Sequence, residues 1–152
     1  MGATARLRAG GAAKMGRVVV FADGSIGGAG WRAEIDGQPV AQGGVVVRGT
    51  SNVAEYEGVL GALEWLRKHR YFGAEIRADS RLVIEQVAGR WRTEAPHLIP
   101  LRDQARKLVG ETGARLMWVP SSQNAAHDVA RDARPQAPVK SMLQMSFGRS
   151  SA

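Results

Sequence analysis

Asp23, Glu55, Asp79 and Asp128, four of the chain's 14 acidic residues, sit where an α/β chain gathers groups toward one edge. Asp23 closes an apolar run, Val18 to Ala22, and is followed at once by Gly24 and Ser25. Asp79 closes a second such run, immediately ahead of a helical stretch. The C-terminal ends of strands are where open α/β sheets collect their sites, because loops and helix starts converge there. Glu55 precedes Val59 by four residues and Ala62 by seven, so it leans toward the apolar face of its helix. Asp128 falls one turn into the last helical segment, close to Ala125 and Val129. Four ionised carboxylates at one edge repel each other by several kcal/mol unless a cation stands among them. Oxygen donors with neither Cys nor a well-placed His specify a hard ion, Mg²⁺ or Mn²⁺ rather than Zn²⁺.

Each acid also has a local explanation. Asp23 suits an Asx-turn and Asp79 a helix cap. Asn52 to Glu55 has the spacing of a capping box, and Asp128 suits the positive end of a helix dipole. What separates the two readings is whether the elements bring the four together.

Those elements alternate along the chain. Residues 17–22 form a β-branched run and read as a buried strand. Trp31, Ala33 and Ile35 alternate as a second strand, Asp36-Gly37 signals a hairpin turn, and a third strand runs through Val40 to Val47. From Asn52 to His69 the period turns helical, with Val59, Ala62, Leu63 and Leu66 on one face. A strand over 74–79, a helix from Ser80 to Ala88 and a helix ending at Gly110 follow. A fifth strand over 115–120 and a helix from Asn124 to Arg134, stopped by Pro135, complete the order βββαβααβα. An opening meander feeding βα units implies an α/β domain built on a mixed sheet.

Composition narrows the classes further. With 152 residues the chain fits one domain, and 44% hydrophobic with 23% charged residues is ordinary globular usage. Absence of Cys excludes disulfide scaffolds, zinc knuckles and thiol catalysis. No apolar run approaches the roughly 18 residues of a membrane span. A cytoplasmic monomer without membrane contact is therefore expected. The net charge of +7 resides in the ends, since residues 18–134 hold 15 basic and 14 acidic groups. Residues 1–16 read as a disordered basic tail, 17–134 as the folded domain and 135–152 as a flexible tail. Basic arms of this kind suit a polyanion.

Four blocks carry a resemblance. FADGS (21–25), TSNVAEYEGVLGAL (50–63), RADSRLVIEQVAGRW (77–91) and WVPSSQNAAHDVA (118–130) resemble, in order and spacing, the successive blocks of type 1 ribonuclease H. The resemblance implies a ribonuclease H-like fold, a five-stranded mixed sheet in the order 3-2-1-4-5 with helices on both faces. It implies that Asp23, Glu55, Asp79 and Asp128 are the metal-binding, catalytic carboxylates for two ions, with Asp23 bridging them. It further implies an endonuclease that hydrolyses the RNA strand of RNA–DNA hybrids, leaving 5′-phosphate and 3′-hydroxyl ends. Glu55, Ser51 and Asn52 would address riboses and bases, and Arg48 and Thr50 a phosphate of the DNA strand. Gly24, Ser25, Trp91 and Asn124 would complete the substrate side. The chain departs from many members in having no histidine between Pro120 and Gln123, no basic handle and no separate hybrid-binding domain. His127, about 100° from Asp128 on a helix, is expected to point away from the site. Gln144-Met145-Ser146-Phe147 loosely resembles a sliding-clamp docking peptide. Two other functions fit the same blocks: a nonenzymatic nucleic-acid-binding module, or a related nuclease acting on DNA or double-stranded RNA.

Overall fold

A computed structural model describes residues 16–135. Three strands open it: β1 (Val18–Ser25), β2 (Gly28–Ile35) and β3 (Gln38–Val46). Helix α1 (Ser51–His69), strand β4 (Glu75–Ala78), helix α2 (Arg81–Ala88) and helix α3 (Ile99–Thr112) follow. Strand β5 (Arg115–Trp118) and the short helix α4 (His127–Asp132) end the described chain. The five strands form one sheet in the order β3-β2-β1-β4-β5. The meander pairs are antiparallel, while β4 lies parallel to both β1 and β5. Asp36 and Gly37 both take positive φ in the first hairpin, as a two-residue turn of this kind requires.

Alternation along the strands sorts the sheet's two faces. Val20, Ala22, Ile76 and Ala78 point to one face and pack with Val59, Leu63 and Leu66 of α1 and Val83 of α2. Each of the valine, leucine and isoleucine side chains among them contributes about 1.5–3 kcal/mol by leaving water. Val19 and Phe21 point to the other face and meet Ala126 at the start of α4. Helices thus lie on both faces. The described residues contain no helix long and apolar enough to cross a membrane.

Several boundaries differ from the sequence expectation, and each difference has a local cause. Strand β1 continues through Asp23 to Ser25, because the glycine-rich start of β2 pairs along it to Gly28. Val40 is the extra residue of a bulge, since Ala33 faces Ala41 while Glu34 faces Pro39. Helix α3 passes through Gly110 and stops at Gly113, whose φ of 66° makes it the left-handed cap. The last helix begins at His127 rather than Asn124, because Ser121–Gln123 form a separate 3-10 turn.

Helix α1 crosses β1 with almost nothing between the two backbones. A Cβ on Gly24 would come within 2.2 Å of the Ala54 carbonyl carbon, and one on Gly58 within 2.4 Å of the Asp23 carbonyl oxygen. Glycine at both positions lets the helix lie directly on the strand end that carries Asp23.

Candidate active site

Strand β1 delivers Asp23 from its sixth residue, 6% exposed. Asp79 follows the last residue of β4, and β4 pairs with β1 so that Ala78 lies beside Ala22. Glu55 descends from α1 through the glycine crossing. One carboxylate oxygen from each of Asp23, Glu55 and Asp79 lies within 4.8 Å of the others. This is the juxtaposition that the four-acid pattern called for, made by three of its members.

The local explanations fail for two of the three. Helix α1 is capped by Thr50, whose Oγ1 accepts from the Val53 amide at 3.3 Å, so Glu55 lies beyond the capping-box position. Helix α2 is capped by Ser80, whose Oγ accepts from the Val83 amide at 3.3 Å, so Asp79 is not the cap. Asp23 does accept from the Gly24 amide at 2.9 Å, which supports its ionised form.

Crowding of acids changes their proton affinity. Glu55 is pushed up to about 8, chiefly by burial and then by the charges of Asp79 and Asp23. Burial and the neighbouring Asp79 also raise Asp23, while the Gly24 amide and His127 act against the rise. Asp23 and Glu55 are thus poorly compensated by the protein itself.

Asp128 stands outside this group. Its side chain is 74% exposed and lies 3.3 Å from an Arg131 guanidinium nitrogen. Its neighbour His127, also largely exposed, makes the contact instead, with Nδ1 3.2 Å from Asp23 Oδ2. Adjacent helix positions do point about 100° apart. Because α4 starts at His127, it is this residue and not Asp128 that faces Asp23. The expectation that His127 points away is corrected accordingly.

The remaining expected residues differ in how exposed they are. Gly24 forms the crossing with α1, and Ser25 ends β1, half-buried. Arg48, Thr50 and Ser51 are exposed at the entry to α1, and Asn52 is half-buried in its first turn. Trp91 is 48% exposed beyond α2. Asn124 differs from these: it is 6% exposed, and its amide is engaged within the protein. Two residues escaped the sequence reading. Trp118 donates its indole N–H to the Asp79 carbonyl at 3.2 Å, and the Arg81 guanidinium lies 4.6 Å from its ring centre. The position of Arg81, two residues after Asp79, was the available signal.

The chain and its fold resemble known proteins. A family model described as "Reverse transcriptase-like" matches residues 23–133. Ribonuclease HI of Halobacterium salinarum is 36% identical over 122 residues, covering 74% of this chain and 61% of that protein. A bifunctional protein of Mycobacterium tuberculosis is 38% identical over 92 residues, covering 59% of this chain. The chain spans only 25% of that mycobacterial relative's length. The crystal structure of the H. salinarum RNase H1 superposes with a TM-score of 0.71 at 35% identity, covering 78% of this chain and 97% of that one. The N-terminal RNase H domain of the mycobacterial protein gives 0.71 at 31% identity, covering 90% and 99%. The LC11 RNase H1, solved in complex with RNA/DNA hybrid, shares the fold at 23% identity, with a TM-score of 0.68 over 83% of this chain and 99% of that one.

Proposed function

Because the chain belongs to the type 1 ribonuclease H family, we propose that it is a divalent-metal-dependent endonuclease that cleaves the RNA strand of RNA–DNA hybrids. The observation that carries this reading is the group Asp23, Glu55 and Asp79, three acids brought by β1, α1 and the end of β4 with oxygens within 4.8 Å. The donor set is all oxygen, and burial together with the charges of Asp79 and Asp23 raises Glu55 to about 8. Such a site fits Mg²⁺ or Mn²⁺. Two such ions would activate a water, orient the scissile phosphate and stabilise the leaving 3′ oxygen, so that the products carry 5′-phosphate and 3′-hydroxyl ends.

The protein's own residues have distinct tasks in this reading. Asp23, the buried member of the three, would hold the ions together with Glu55 and Asp79. Asp128, at the rim on α4, joins from the exposed side rather than forming part of the inner group. Glu55 also presents an acceptor to a ribose 2′-OH, the group that distinguishes RNA from DNA. Ser51 and Asn52, in the first turn of α1, contact the minor groove beside it. Arg48 and Thr50, at the mouth of α1, hold a phosphate of the DNA strand, and Trp91 lies along the same strand. Ser25, at the end of β1, borders the RNA strand, and Gly24 lets α1 close on it. Residues 17–134 form the catalytic unit, and the basic ends add affinity without chemistry.

A substrate panel tests the reading. With Mg²⁺ present, the RNA strand of a hybrid should be cut to fragments bearing 5′-phosphates. RNA duplex, DNA duplex and single strands should be cut far more slowly. Binding of hybrid without cleavage would instead identify a nonenzymatic module. Equal cutting of a DNA duplex would refute the 2′-OH role of Glu55.

A further inference from the structure

Asn124 lies between three elements of the site, and every polar atom of its side chain is spoken for. Its Nδ2 donates to the carbonyl of Ala22 at 2.8 Å and to Asp79 Oδ1 at 3.2 Å. Its Oδ1 accepts from the Ala126 amide at 3.1 Å. Ala22 immediately precedes Asp23 in β1, Asp79 immediately follows β4, and Ala126 immediately precedes α4. The backbone of Asn124 adds a further tie, its carbonyl accepting from the His127 amide at 3.2 Å. At 6% exposure the side chain has neither a free donor nor an open path to a substrate.

We infer that Asn124 is a positioning residue of the acidic site. One amide hydrogen fixes the orientation of the Asp79 carboxylate, the other holds the end of β1, and the carbonyl oxygen seats the start of α4 that brings His127 to Asp23. This assignment rests on the proposed metal-dependent function. It replaces the expectation that Asn124 contacts the substrate. A carboxylate that accepts one hydrogen bond from a buried amide has one oxygen oriented and the other left toward the ions. Aspartate at position 124 would place an anion against Asp79 and remove both donors, so asparagine is the residue this geometry selects.

The test combines a binding and a kinetic measurement on the full chain. Mn²⁺ is titrated calorimetrically into the wild type and Asn124→Ala without any substrate, and both are assayed on hybrid under steady-state conditions. Loss of an outer partner of a ligand should weaken Mn²⁺ binding or lower kcat by about 10–100-fold. KM for the hybrid should stay within about threefold, since no substrate contact is lost. Asn124→Asp keeps the acceptor for Ala126, so α4 remains seated, and it should lower kcat at least as far. An effect on KM alone, or unchanged Mn²⁺ affinity and kcat in a folded variant, overturns the assignment. If Asn124→Ala does not fold, wild-type kcat in Asn124→Asp overturns it equally. Asp79→Asn run alongside keeps the two ideas apart. If Asp79→Asn cuts normally, the metal-dependent function fails; if it is inactive while the Asn124 variants are normal, only the positioning role fails.

Discussion

Glu55 is a residue whose protonation is set by burial and by its acidic neighbours. Burial and two adjacent aspartates push its carboxyl up to about 8, against an ordinary value of 4.5. In the unfolded chain the proton leaves near the ordinary value. Between about pH 4.5 and 8 the folded, metal-free protein therefore holds a proton that the unfolded chain has lost, so stability falls as pH rises through that window. Thermal unfolding in chelator should show Tm declining from pH 5 to pH 8, and Glu55→Gln should flatten the decline. Saturating Mg²⁺ should also reduce it, because the ionised carboxylates then gain a partner. A Glu55→Gln slope identical to wild type would show that this carboxyl does not carry the effect. At this scale the acids themselves were legible from strand ends and helical phase. The roles of His127 and Asp128 were not, because they depend on where α4 begins. A start at Asn124 would have made Asp128 a residue of the second turn, whereas the 3-10 turn at Ser121–Gln123 delays the helix to His127, whose Nδ1 lies 3.2 Å from Asp23.

Between elements, the crossing of α1 over β1 decides whether Glu55 reaches Asp23. Gly58 in mid-helix forgoes about 1 kcal/mol of helix propensity relative to alanine. The contact explains why, since a Cβ there would come 2.4 Å from the Asp23 carbonyl oxygen, which belongs to backbone and cannot swing aside. Gly58→Ala should therefore lose about 1–3 kcal/mol of stability despite its better propensity, with a lower Tm. Displacement of α1 also carries Glu55 away from Asp23, so single-turnover cleavage should slow by roughly a hundredfold. An alanine variant with raised Tm and full activity would contradict the crossing. The helix was legible from the spacing of Val59, Ala62, Leu63 and Leu66, all buried against the sheet. The crossing was hidden because a glycine carries no side chain whose chemistry announces what it touches. The capping box at Asn52 likewise misled by two residues, since Thr50 offers the same hydroxyl chemistry earlier and takes the helix start.

For the molecule as a whole, chain pattern and family resemblance contributed different things. Periodicity alone yields the order of strands and helices, but it does not say that β4 inserts beside β1, which is what sets Asp79 against Asp23. The strand order came from the four blocks taken together, and the sheet has that order. The charge reading needs one adjustment. Arg17, grouped by sequence with the basic N-terminal end, donates to Glu75 at 2.7 Å and belongs to the fold. Arg77 also donates to Glu75, and the two guanidinium groups hold that carboxyl below its usual range. The rest of the basic ends and the Gln144 to Phe147 peptide lie outside the described residues. What unites the molecule is a sheet edge where two strands and a helix bring acids together that repel one another without a cation. Single-turnover cleavage of the RNA strand of a hybrid, for wild type and Asp79→Asn in Mg²⁺ and in excess chelator, tests that most directly. Wild type should cut in Mg²⁺ and stop in chelator. Asp79→Asn should bind hybrid yet cut at least about a thousandfold more slowly, a loss of roughly 4 kcal/mol in transition-state stabilisation. Undiminished cleavage in chelator, or near wild-type cleavage by Asp79→Asn, would contradict the account.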